Sequence, residues 1–451
     1  MRGFSTKSTL PLTLASRKGT LLDVKHGRFD ADAQEVHLRR ISEDAFRGSP
    51  RVDLAPPRRP SPLVSRALRL LDVLTRYRWF VAPALSGTMA VYTGANSPAD
   101  IKMFSSLGRD LLAGHLAAAY STGWDQSGPL QLIAAAAVPP SSFTPHALLR
   151  FEIAMAIGLA VAMMMLVRGL RAYRGRPASP RHEFAAGLVV AVWLIGGYAL
   201  VAHLAELAIP VAWVLAGAAA RRGHWVWAAV LLALSLAVEP WGVLGIPVTL
   251  LADKPSHAAR ASALAVLLGV GCYLPFMLAG PFEMFNHSWP VVETTLVHAL
   301  WPNATHVGWT PRLLQAALCV GAGSLLARRL RRRPDAIWLV PLTILYIRLI
   351  LDPLQYSYYW VAPQVALVAG IAFLDVNRRT RIAVFVGLLW LCSTDFGEFE
   401  TYATVVQLAI ALCIVWLECR EAPSLGADPD TERIHCSRSE VTIRAKSTAL
   451  T

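Results

Sequence analysis

A chain of 451 residues that is 55% hydrophobic and only 16% charged, with a mean hydropathy of +0.44, is excluded from being a water-soluble globular domain over most of its length. The net charge of +13 is not spread as a nucleic-acid-binding face. Its basic residues cluster between apolar runs and at the two ends, which is the pattern of membrane topology, so an all-α, polytopic integral membrane protein with no nucleic-acid partner is expected.

Residues 1–76 are rich in Arg, Lys, Pro and Ser, as in LASRKGTLLDVKHGRF and DLAPPRRPSPLVSRALR, and hold no apolar core long enough for a signal peptide. They are expected to be a disordered basic cytoplasmic extension. The first insertion signal is the apolar run 79–95. Further runs follow near 129–139, 147–167, 184–203, 207–220, 225–238, 242–252, 261–279, 311–327, 336–351, 360–375, 382–394 and 402–417. Together they define a membrane domain over 77–418. The polar tail 419–451, with ADPDTERIHCSRSE, is expected to be disordered and cytoplasmic. The six cysteines lie mostly in apolar runs without metal-ligand spacing and read as packing residues.

Arg and Lys in the connections set the orientation. Segments 168–176, 221–222, 253–260, 327–333 and 377–381 are basic and should face the cytoplasm. The intervening connections, which carry Glu206, Glu239, Glu283, Glu293, Asp352 and the acidic stretch 395–400, should face outward. Glu239-Pro240-Trp241 reads as the polar tip of a hairpin. The alternation closes if 129–139 is re-entrant or interfacial, giving about twelve spans with a range of eleven to thirteen. The alternative is that it crosses and another short run does not. Both termini are then cytoplasmic in a plasma-membrane protein. The two largest connections, about 96–146 and 280–310, share the external side, where the parts of an active site should gather.

The stretch SPADIKMFSSLGRDLLAGH opens the first of these connections. Ser97 at the N-cap, Pro98 at the first helical position and Asp100 at the third have the form of a capping box. Ile101, Phe104, Leu107 or Gly108, Leu111 and Leu112 recur at helical spacing opposite Lys102, Ser105, Ser106, Arg109 and Asp110, and Gly114 offers the stop. An amphipathic helix lying along the outer membrane surface is expected. On this pattern alone Asp100 serves the helix dipole and returns a hydrogen bond to the cap, worth about 0.5–1 kcal/mol.

Asp100-Ile101-Lys102-Met103-Phe104, then Arg109-Asp110-Leu111-Leu112-Ala113-Gly114, Tyr120 and Pro129-Leu130, resemble the first external loop of GT-C glycosyltransferases that use polyprenyl-phosphate sugars. They are most similar to the actinobacterial mannosyltransferases of glycosyltransferase family 87. The motif covers about 35 residues of this chain. It departs from the family pattern at Phe104, where Tyr is usual, in the longer gap from Gly114 to Tyr120, and in Ser127-Gly128-Pro129-Leu130 where the family has Tyr-Pro-Pro-Leu.

The resemblance implies a GT-C-like membrane domain that moves a sugar, mannose by analogy, from a polyprenyl-phosphate donor to a lipid or cell-envelope glycan acceptor. Asp100 would be the general base that takes the acceptor's hydroxyl proton. No metal or other cofactor is implied; membrane lipids, the lipid-linked sugar and a glycolipid or glycan acceptor are the partners. The departing phosphate needs cations or hydrogen-bond donors. Arg348 is the candidate, because an Arg inside an apolar run usually has a specific partner. Asp352, four residues on, offers the competing reading of an i,i+4 ion pair.

Further candidates for substrate contact are Lys102, Asp110, Asp125, Tyr358 in the aromatic run 356–360, and His298 and His306 of the second long connection, where His287 also lies. Each has a plainer alternative: a solvated polar face for Asp110, a turn residue for Asp125, an interfacial aromatic belt for Tyr358, and solvated loop positions for the histidines. Asn303-Ala304-Thr305 matches a glycosylation tripeptide. Two other function classes fit the same sequence. A transporter would use the short runs around Glu206, Pro210, Glu239 and Pro240 as broken helices. A non-catalytic membrane assembly subunit would keep the fold without the chemistry.

Overall fold

The computed structural model describes residues 61–374 except 94–98, 124–125, 139–143, 195–202, 294 and 355, together with Gly387 and Ala409. Asp125, the Ser97-Pro98 cap, the runs 382–394 and 402–417 and the C-terminal tail lie outside the described residues. The chain divides into two units, Met1–Ser65 and Arg66–Thr451. Of the first only 61–65 are described, and apart from the start of the first helix all that follows concerns the second.

The protein is mostly helical among the described residues. Helix α1 (Pro62–Arg76) corrects the expectation of disorder up to residue 76. Pro62 suits its first turn, and Ala67, Leu70, Leu71 and Leu74 recur at helical spacing among arginines. Helix α2 (Arg78–Thr93) follows and carries the first apolar run.

Three helices are long and apolar enough to cross a membrane. They are α6 (Pro145–Tyr173), the segment 255–279 that contains α10 (Pro255–Gly271), and α13 (Trp309–Leu330). At 29 residues α6 rises about 43 Å. Pro145 opens it and Gly175, with φ of +67°, closes the turn beyond it. Shorter apolar helices lie between these: α9 (Trp225–Val238), a 3₁₀ segment Pro240–Leu251, α14 (Ala336–Ile350) and α15 (Val361–Ile371). Helix α15 is buried on every side, as a helix that is apolar all round apart from Gln364 should be. The run 184–203 is not one regular helix: α7 (Pro180–Val189) gives way to a π turn at Val190–Leu194.

The amphipathic helix of the first connection is α3 (Ala99–Leu112), stopped at Gly114 with φ of +87°. Its buried face is Ile101, Phe104, Ser105 and Gly108, so Ser105, expected on the polar side, is inside. The reason is its neighbour. The run 129–139 forms α5 (Pro129–Ala136), eight residues rising about 12 Å, far less than a bilayer core, and α3 packs on it rather than only on a membrane surface. Ser105 Oγ donates to the Val138 carbonyl at 2.8 Å. Gly108 lies so close to α5 that a Cβ would meet the Leu132 carbonyl. Gly108→Ala is therefore expected to part the two helices and cost about 1–3 kcal/mol, read as a lowered midpoint of thermal unfolding in detergent. An unchanged midpoint would show that the helices do not meet there.

Candidate functional site

A cavity of about 540 Å³ opens beside the first turn of α3. The pieces that form it are distant in sequence. Asp100 and Phe104 come from α3, Gln126 and Ser127 from the segment ahead of α5, and His203 and Glu206 from the start of α8 (Ala205–Arg221). Glu239, His287 and Trp289, and Tyr356, Tyr358 and Tyr359 complete the wall.

Asp100 stands at the mouth with its side chain about half exposed, and its Oδ2 is 3.2 Å from His203 Nε2. A carboxylate only accepts, so the imidazole Nε2–H donates in this pair. Two aromatic rings hold the imidazole. Tyr358 stacks on it with centroids 3.8 Å apart and planes 8° from parallel, and Phe104 meets it edge-on at 6.0 Å. Phe104 is one helical turn after Asp100, so the same face of α3 presents the acid and braces its partner.

The hydrogen bond from His203, with that ring's charge adding to it, holds the Asp100 carboxyl below its ordinary value of 3.8, against an opposing push from burial. A depressed carboxylate contributes stability that is fully present above 3.8 and is lost as pH falls through the lowered value. The partial exposure keeps that contribution small. The thermal-midpoint gap between wild type and Asp100→Asn is therefore expected to be open near about pH 6 and to close in acid. A gap that widens in acid would reverse the sign of the shift.

Behind this pair lies a buried ion pair. Arg348, in the last turn of α14, donates through both terminal nitrogens to the two Glu206 oxygens, each at 3.1 Å. Its guanidinium sits 3.9 Å over the Trp241 ring and 5.0 Å from that of Tyr359. The i,i+4 pair with Asp352, the competing reading of Arg348, does not form. Asp352 instead accepts from Arg312 at 2.9 Å and from the Leu354 N–H at 3.1 Å. Arg312 in turn lies 4.7 Å over the Trp289 ring. Arg348 does not reach the cavity wall; Glu206 does.

The two long connections meet at this wall. Trp289 Nε1 donates to Gln126 Oε1 at 3.1 Å, and the Glu283 N–H donates to the Tyr120 carbonyl at 2.8 Å. Trp289 is set by a two-residue antiparallel pairing of β1 (Trp289–Pro290) with β2 (His306–Val307). Tyr120 is buried, donates to the Ser127 carbonyl at 2.8 Å, and packs edge-on against Phe276. Next to it the Gly128 N–H donates to the Val238 carbonyl at 2.9 Å, so close that a Cβ there would strike the backbone of Ala237 and Val238. That contact accounts for the glycine in Ser127-Gly128-Pro129. Tyr120→Phe removes one buried hydrogen bond and leaves the Ser127 carbonyl without this donor. It is expected to cost about 1–3 kcal/mol, seen as a lower unfolding midpoint.

Of the residues singled out by sequence, Asp100 and Tyr358 line the cavity. Lys102 is exposed on α3 and does not line it. Asp110 is ten residues further along the helix, about 15 Å away, beside His115 Nδ1 at 4.0 Å. His298 lies in the short helix Leu296–Leu300, where its backbone N–H caps on Thr295, and His306 is exposed on β2. Neither reaches the cavity, but His287 does, its imidazole pushed down from the ordinary range by burial. Glu239 is not an exposed hairpin tip: it lines the cavity between α9 and the 3₁₀ segment. Sequence reasoning passed over His203 altogether. The available signal was an ionisable residue at the end of an apolar run, three positions before Glu206. Among the described residues no three His, Cys, Asp or Glu side chains are grouped to hold a metal ion. No family model, no curated protein and no solved structure matches the chain.

Proposed function

We propose that the protein is an integral membrane glycosyltransferase of GT-C type, with about twelve spans, that moves a sugar from a polyprenyl-phosphate donor to a lipid or cell-envelope glycan acceptor at the external face. The observation that carries this reading is the cavity itself: a half-exposed Asp100, oriented by His203, in a wall that holds five aromatic residues, of which Trp289 and Tyr356 suit stacking on a sugar ring. In this reading Asp100 takes the proton from the acceptor hydroxyl while that oxygen attacks the anomeric carbon. The bond from that carbon to the phosphate oxygen breaks, and the lipid phosphate leaves with the electron pair. Because Glu206 engages Arg348, hydrogen-bond donors for the phosphate fall to Gln131 and the hydroxyl of Tyr356, which line the wall. Mannose is the sugar that the sequence resemblance suggests.

The test is transfer of radiolabelled mannose from polyprenyl-phosphate-mannose to membrane acceptors by the purified protein, with other polyprenyl-phosphate sugars in parallel. Mannosylated product from the first donor supports the reading in full, and product from another donor alone corrects the sugar. A second reading, as a transporter, is favoured by the ionisable groups of the same cavity, which Glu206 and Glu239 both line. Absence of transfer from every donor, with substrate-dependent proton uptake by proteoliposomes that Glu239→Gln abolishes, would replace the first reading with the second.

A further inference from the structure

Away from that cavity, a groove of about 800 Å³ runs between α6, α8 and α9. Its walls are apolar, with Met165, Leu215 and Leu231 among them, and Trp227 at its edge is 65% exposed. The groove has a direction. Along α6 it runs from Ala162 to Tyr173, eleven residues or about 16 Å, close to the half-thickness of about 15 Å of a bilayer core. Every polar lining group stands at one end: Tyr173 at the end of α6, and Arg222 and His224 in the turn between α8 and α9.

We infer that this groove binds one anionic glycerophospholipid, an acyl chain lying in the apolar slot and the phosphate at Arg222 and His224. Arg222 is prepared for such a ligand. Its guanidinium is fixed 4.6 Å over the Tyr173 ring, it is exposed, and among the described residues no carboxylate pairs with it. Arg174, Arg176 and Arg221 share this end, so the positive-inside rule sets it in the cytoplasmic leaflet, where anionic lipids concentrate. A length matched to one leaflet and cations at one end only suit a lipid better than a soluble apolar ligand, which would need neither. The inference does not depend on the transferase reading.

The experiment is native mass spectrometry of the purified, delipidated protein given equal amounts of phosphatidylglycerol and phosphatidylcholine with the same chains. Wild type is expected to retain phosphatidylglycerol about fivefold over phosphatidylcholine, the preference that one surface cation supplies. Arg222→Gln should lose that preference while still binding lipid. Gly169→Phe fills the slot from a helical position whose Cβ direction is open, and should bind one lipid fewer of either kind. Both positions are exposed, and the Arg222 side chain rests on Tyr173, so both variants should remain folded and unfold in one cooperative transition. No preference in wild type, or an intact preference in Arg222→Gln, would overturn the site. Displacement of the lipid by millimolar inorganic phosphate would overturn it too, as it would reveal a site for free anions.

Discussion

Replacing Arg348 with Ala is expected to destabilise the protein by about 3–5 kcal/mol, the cost of leaving a buried charge without its counter-ion. Glu206 and Arg348 are 2% and 5% exposed, and both carboxylate oxygens depend on this one guanidinium. Lysine will not substitute well, because its single ammonium cannot bridge both oxygens or fill the planar slot between Trp241 and Tyr359. The double variant Glu206→Gln with Arg348→Met should recover most of the loss, since apolar or neutral groups of similar size remove both the charge and the need for it. Thermal unfolding of the detergent-solubilised wild type, Glu206→Gln, Arg348→Met and the double variant closes a cycle. Additive losses from the two single variants would mean that the pair does not form, and the floor of the cavity would need to be redrawn.

That pair also shows where the sequence stops being legible. Helix α3, its stop at Gly114 and the place of Asp100 in its first turn follow from a local period and a local glycine, so they could be read from nineteen consecutive residues. The long helices α6 and α13 followed equally from unbroken apolar length. The partner of Arg348 could not be read that way, because Glu206 is 142 residues distant and Asp352 presents a ready local alternative. Ser105 was misplaced for a related reason: the polar side of an isolated amphipathic helix becomes an inside once α5 covers it. His203 and Glu239 each stand at the end of an apolar run, and a linear pattern does not show that in three dimensions the ends of several runs converge on one cavity. Charge patterning carries orientation; it does not say which ends meet.

Asp100→Asn should lower sugar transfer by about 10²–10⁴-fold, the usual range for loss of a positioned base. The substitution keeps size and a hydrogen-bonding carbonyl but removes the proton acceptor. Because the side chain is half exposed and its pairing is with a single imidazole, the fold should lose less than about 1 kcal/mol. A capping acid would behave differently, costing stability of that order while leaving turnover intact. The pH profile separates the two further. A base works only when deprotonated, so the acid limb of the rate profile should follow the Asp100 carboxyl, which His203 holds low. Removing that hydrogen bond in His203→Asn should move the limb to higher pH while retaining measurable turnover at neutral pH, since the carboxylate is still ionised there. A merely structural histidine would lower activity at every pH without moving the limb. Full activity in Asp100→Asn would end the assignment of the base while leaving the cavity's aromatic wall and its buried floor as they stand.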